Sequence, residues 1–151
     1  MLTAGQKRSL AAGAGRGALL MDQFVPNWVK KTAKDAIEMD DTSMCLLGQN
    51  FGDFSDGARE LAEIAIKKTL SGTGLRLAGT SLDYVRIDDV HYGFDIKLPG
   101  DVHTQAYSVL GEAWQAEIAA REATAKRSRA ARKGVATRRA NSRSGRRNQD
   151  R

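Results

Sequence analysis

The densest grouping of core-forming residues in this chain lies between Trp28 and Gly57, centred on Cys45-Leu46-Leu47-Gly48-Gln49-Asn50-Phe51-Gly52-Asp53-Phe54. Apolar side chains, paired glycines and cap-forming residues crowd together there, the mark of a folding nucleus rather than a catalytic centre. Asp40-Asp41-Thr42-Ser43 supplies carboxylates and hydroxyls that can accept from the free N–H groups of a first helical turn. Aspartates there also suit the positive end of a helix dipole. Met44, Leu47 and Phe51 recur at helical spacing, and Gly52 can close the helix in a left-handed conformation. The spacing predicts a short helix over 43–51, too short to persist without packing. Gly48 falls inside it at a cost of up to about 1 kcal/mol against alanine. That cost predicts close approach by another element, with the rings of Trp28 and Trp114 as candidates.

A chain of 151 residues forms one domain, or one domain with tails. Hydrophobic residues make up 41%, enough for a core, while aromatics at 6% restrict it to a few large anchors among Leu, Ile, Val and Ala. The single cysteine excludes an internal disulfide and fits a reducing compartment. No apolar run approaches the roughly 20 residues that span a bilayer. Lys7-Arg8 ahead of Ser9-Leu10-Ala11-Ala12 has a slight likeness to a secretory leader, but Arg16 and the glycines around it interrupt the apolar stretch. A cytoplasmic location is expected.

The rest of the chain predicts a mainly α fold: a small helical domain whose long C-terminal helix runs into a disordered basic tail. Residues 1–16, small and glycine-rich, are expected to be a flexible lead-in. A helix over 17–24 carries Leu19, Leu20 and Phe24 and stops at Pro26. Ser55 or Asp56 can cap a helix over 57–70 with Leu61, Ile64 and Ala65 on one face. Residues 75–90 suit two states. Tyr84-Val85-Arg86-Ile87 has strand composition, while Leu82, Val85 and Asp89 match a short helix over 82–92 closed at Gly93. The helical reading is preferred. After the Pro99-Gly100 turn, a helix over 105–133 carries Tyr107, Leu110, Trp114 and Ile118 as its apolar stripe. Gly134 is its expected stop, and residues 135–151 have the composition of a disordered segment. The domain division is 1–16, 17–120 and 121–151. The expected core is Trp28, Cys45, Leu47, Phe51, Phe54, Phe94, Leu110, Trp114 and Ile118.

A set of short blocks carries a family resemblance. They are Leu-Leu-Met-Asp at 19–22, Pro26-Asn27-Trp28, Cys45-Leu46-Leu47-Gly48-Gln49 running to Gly52 and Phe54, Gly93-Phe94-Asp95, and Leu110-Gly-Glu-Ala-Trp114-Gln-Ala-Glu-Ile118. In these the chain resembles a family of small, uncharacterised proteins encoded by bacteriophages of actinobacteria, over residues 17–120. The resemblance implies a phage source and a fold type, not a mechanism. The chain departs from the pattern in a longer segment between Gly57 and Gly93 and in a long basic extension after residue 121.

Motifs that would carry chemistry fail on context. Gly13-x-Gly15-x-Gly17 lacks the preceding strand and downstream acid of a dinucleotide loop. Gly72-x-Gly74 lacks the Lys and Ser/Thr of a phosphate loop. Asp56-Gly57 with Glu63 matches the end of a calcium loop whose first positions fall on Gly52 and Phe54, which offer no side-chain oxygen. Cys45, on an apolar capped helix, fits a buried structural thiol better than a reactive one. His91 and His103 have no second cysteine to complete a zinc site. No nucleophile–base pairing has a recognisable spacing, so neither an enzyme nor a cofactor is expected.

Charge carries the one functional signal. Residues 1–120 hold 12 Lys and Arg against 16 Asp and Glu, a balance of −4, while residues 121–151 hold 12 against 2, a balance of +10. Lys126, Arg127, Arg129, Arg132, Lys133, Arg138, Arg139, Arg143, Arg146 and Arg147 can each neutralise a phosphate. Arginine predominates, which suits bidentate phosphate contacts. Aromatic residues are absent from this segment, so base stacking and sequence reading are not expected of it. The expected partner is DNA or RNA, bound without sequence preference. The alternative is a protein-interaction module, an adaptor or inhibitor of a host protein or a minor virion component, with the tail as accessory.

Overall fold

The computed structural model describes residues 1–68, 77–78, 86–88, 90–98 and 100–147. The fold is mainly α, with a long C-terminal helix. It divides into one compact unit of residues 1–118 and a second that begins at Ala119, just before the break expected at 120.

Helix α1 spans Ala4–Phe24, so the expectation of a flexible segment over 1–16 is overturned. Thr3 and Gln6 form a capping box. The Gln6 N–H donates to Thr3 Oγ1 at 3.2 Å, and the Thr3 N–H donates to Gln6 Oε1 at 2.8 Å. The Leu2 N–H donates to Gln105 Oε1 at 2.8 Å, which ties the N-terminus to the body. Gly13 and Gly17 of α1 admit a neighbour instead of loosening the chain. A Cβ at Gly17 would collide with the Tyr92 carbonyl oxygen and stand 2.8 Å from the Trp114 ring. Gly93, at φ +66°, is pressed against Gly13 and Ala14, and a side chain there would meet the α1 backbone. Val25 leaves the helix in an extended conformation and Pro26 prevents its continuation.

After α2 (Trp28–Lys31) and a 3-10 turn (Lys34–Ala36), α3 covers Leu46–Phe51. It starts later than the expected 43, because Asp41 caps the turn before it. Asp41 Oδ1 accepts from the Ser43 N–H and hydroxyl, each at 2.7 Å, and from the Met44 N–H at 2.9 Å. Cys45 is the N-cap of α3 itself. Gly48 is indeed a point of close approach, but against the Thr42 and Ser43 backbone rather than a tryptophan ring. Gly52 closes α3 at φ +98°.

Helix α4 spans Phe54–Lys68, beginning earlier than the expected 57 because Asp53 accepts from the Ser55 N–H at 2.8 Å. It buries Gly57, Ala58, Leu61, Ala62 and Ala65. The short helix expected over 82–92 is corrected where it can be compared. Arg86–Ile87 (β2) pairs antiparallel with Leu77–Ala78 (β1), Leu77 opposite Ile87. Strand composition at Arg86–Ile87 outweighs the helical spacing there. Residues 90–93 form a turn, with the Gly93 N–H donating to Val90 O at 3.3 Å. The Gly72-x-Gly74 motif, residues 82–85 and Leu70 lie outside the described residues.

A 3-10 turn (Gly100–Val102) leads into α5, which spans His103–Arg147. The stop expected at Gly134 is overturned. A single internal glycine costs about 1 kcal/mol, and the Ala, Arg and Lys around it are among the strongest helix formers. Residues 148–151 lie outside the described residues.

The core belongs to the unit of residues 1–118. Trp114, Phe94, Leu47, Leu110, Ile118 and Cys45 are fully buried, as are Met21, Leu46 and Leu61. Trp114 stacks on Phe94 with centroids 5.3 Å apart and meets Trp28 edge-on at 6.0 Å. Both indole N–H groups are satisfied, Trp114 by Gly93 O and Trp28 by Asp22 Oδ1. Phe51 and Phe54 are half-buried and pack on the edge of this core.

Candidate nucleic-acid interface

Cys45 is buried, its Sγ accepting from the Gly48 N–H at 3.3 Å and facing Thr42 O at 3.6 Å. Burial raises its pKa, against the lowering effect of the Gly48 and Leu47 N–H groups. A buried protonated thiol used as a helix cap is a poor nucleophile. His103 Nε2 lies 2.6 Å from Leu98 O, and the His91 ring sits edge-on to Tyr92. Among the described residues no cluster of three or more His, Cys, Asp or Glu could hold a metal ion.

The cationic residues lie on α5. Lys126, Arg127, Arg129, Arg132 and Lys133 are all exposed. The backbone that holds them is stable for local reasons. Ala119, Ala120, Ala123, Ala125, Ala130 and Ala131 favour helix. Glu122 stands four residues before Lys126, the favourable order for a helical ion pair. Thr124 turns its hydroxyl back onto Ala120 O at 2.9 Å. Arg138, Arg139, Arg143, Arg146 and Arg147 continue the same helix.

Extending the helix past Gly134 places these residues in one register, which reasoning from the sequence missed by ending the helix there. At about 100° per residue, the cations from Arg121 to Arg147 fall on about half of the circumference, all except Arg127 and Arg138. Glu122 shares that half and sits at its N-terminal limit. The other half carries those two arginines together with Ala120, Ala123, Ala130, Ala131 and Gly134. Arg121 belongs to the cationic face as well. Its place on the segment was visible in the sequence, but its place on the face needed the helix.

No protein-family model matches the chain, and no curated protein or solved structure matches it either. Among the described residues, no helix is long and apolar enough to cross a membrane.

Proposed function

We propose that this is a non-enzymatic nucleic-acid-binding protein that acts through the cationic half of α5 beyond Ala119, with the unit of residues 1–118 as its folded body. One observation carries the reading: a balance of +10 over residues 121–151 against −4 over the rest, its central cations exposed on helix. Arginine-rich helical surface attracts phosphate through charge and bidentate donation, and it gains binding free energy by releasing condensed counterions. The resemblance to actinobacteriophage proteins supports a phage source and action in the host cytoplasm. The folded body then remains available to a host or phage protein.

The test is retention of the full chain on mixed sheared DNA and RNA across a salt series. Engagement of about six phosphates predicts that log affinity for duplex DNA falls against log salt with a slope near −5. Replacing Lys126, Arg127, Arg129, Arg132 and Lys133 together by Gln is expected to abolish most of that slope. A salt-independent affinity, or unchanged retention of the Gln variant, defeats the proposal. If retention from lysate survives nuclease and follows one protein, the segment serves a protein partner instead.

A further inference from the structure

The nucleic-acid reading leaves the form of the partner open, and the arrangement of α5 bears on that choice. The cations span the full width of that half. By register, Arg121, Arg132 and Arg139 run along one edge and Lys126 and Lys133 along the other. Arg129, Arg143 and Arg147 occupy the middle together with Ala125 and Ala136. A convex face that carries cations across its whole width, margins included, can reach two rows of phosphate at once, as in a channel walled by both strands of a duplex. A flat polyanion would meet the centre first and leave the margins unused.

Resting on that reading, we propose that the partner is duplex DNA of B form, with the cationic half of α5 seated in the major groove. That groove is about 12 Å wide and admits one α-helix, whose diameter with side chains is about 10–12 Å. The major groove of A-form RNA is too narrow for side chains to enter. Single strands are usually held by aromatic platforms, and residues 119–151 contain no Phe, Tyr or Trp. Contacts from the margins go to phosphates.

The experiment measures fluorescence anisotropy of the full chain with three labelled probes of equal length, about 20 base pairs or bases each: duplex DNA, one of its strands, and duplex RNA. The expected result is duplex DNA bound about tenfold or more tighter than either of the others at the same salt. Two charge-matched variants then test the face. Arg129→Gln with Arg132→Gln removes two cations from the cationic half, and Arg127→Gln with Arg138→Gln removes two from the opposite half. On duplex DNA the first pair is expected to flatten the salt slope by about 2 and the second by less than about 0.5. Circular dichroism checks that both variants stay helical. Equal effects of the two pairs, or a single strand or duplex RNA bound as tightly as duplex DNA, overturn the inference while nucleic-acid binding stands. Binding to none of the three probes removes both.

Discussion

Gly17 and Gly134 both sit inside helices, and they mean opposite things. At Gly17 an added methyl would collide with the Tyr92 carbonyl and the Trp114 ring. At Gly134 it would meet nothing within 4 Å. The unit of residues 1–118 is held by contacts between elements distant in sequence, and Gly13, Gly17, Gly48 and Gly93 are points where backbones approach. The helix beyond Ala119 rests on propensity, local pairs and charge. Substitutions in the first unit should therefore be read as unfolding free energies, and those in the second as changes in helicity and binding.

The largest effect is expected at Trp114. Trp114→Ala removes the stack on Phe94, the edge contact with Trp28 and the indole donor to Gly93 O, and should cost about 3–5 kcal/mol in urea unfolding. A loss under about 1 kcal/mol would show that the core does not turn on this ring. Gly17→Ala comes next. Helix propensity alone gives a gain of about 1 kcal/mol, whereas the collision with Tyr92 O gives a loss of about 2 kcal/mol from overpacking against backbone that cannot swing aside. The sign of the measured change decides between the two.

Cys45 gives a smaller effect with a chemical signature. Cys45→Ala removes the acceptor for the Gly48 N–H and leaves a small void, for about 1–2 kcal/mol. Cys45→Ser keeps an acceptor and should recover part of that loss. The wild-type thiol adds a pH dependence. Burial raises its folded pKa, so its contribution is fully present below the ordinary thiol value of about 8.5. It is lost as pH rises from there through the folded pKa, because the unfolded chain ionises first. The urea midpoint of wild type should therefore fall relative to that of Cys45→Ser between about pH 8 and pH 10. Parallel profiles would mean that the thiol is not held protonated by the fold.

What could be read from the sequence follows the same division. The anchors Trp28, Leu47, Phe94, Leu110, Trp114 and Ile118 were legible because apolar residues at helical spacing must find a core. The early start of α1 was not, because glycine-rich sequence suits both a mobile segment and a tightly packed helix, and only the turn at Tyr92–Gly93 distinguishes them. The caps moved for a related reason. Asp40, Asp41, Thr42 and Ser43 are chemically interchangeable as acceptors, and tertiary placement gave the turn to Asp41 and the α3 cap to a thiol. Of the candidate interface, the charge was fully visible and the face was not, since register needs an unbroken helix and Gly134 signals a break.

The smallest effect is the one that sharpens the comparison most. Gly134→Ala has open space around the new methyl, so nothing opposes the propensity gain of about 1 kcal/mol within the helix. The global unfolding midpoint should stay within experimental error, because Gly134 lies outside the unit that holds the core. Ellipticity at 222 nm should become more negative, and the difference from wild type should grow on warming, as local helix frays before the core melts. If binding uses the helix as a preformed element, the same variant should bind duplex DNA somewhat more tightly with an unchanged salt slope, since no phosphate contact is added and less ordering remains to be done. A variant that binds more weakly despite higher helicity would show that the segment must bend at Gly134 to engage its partner.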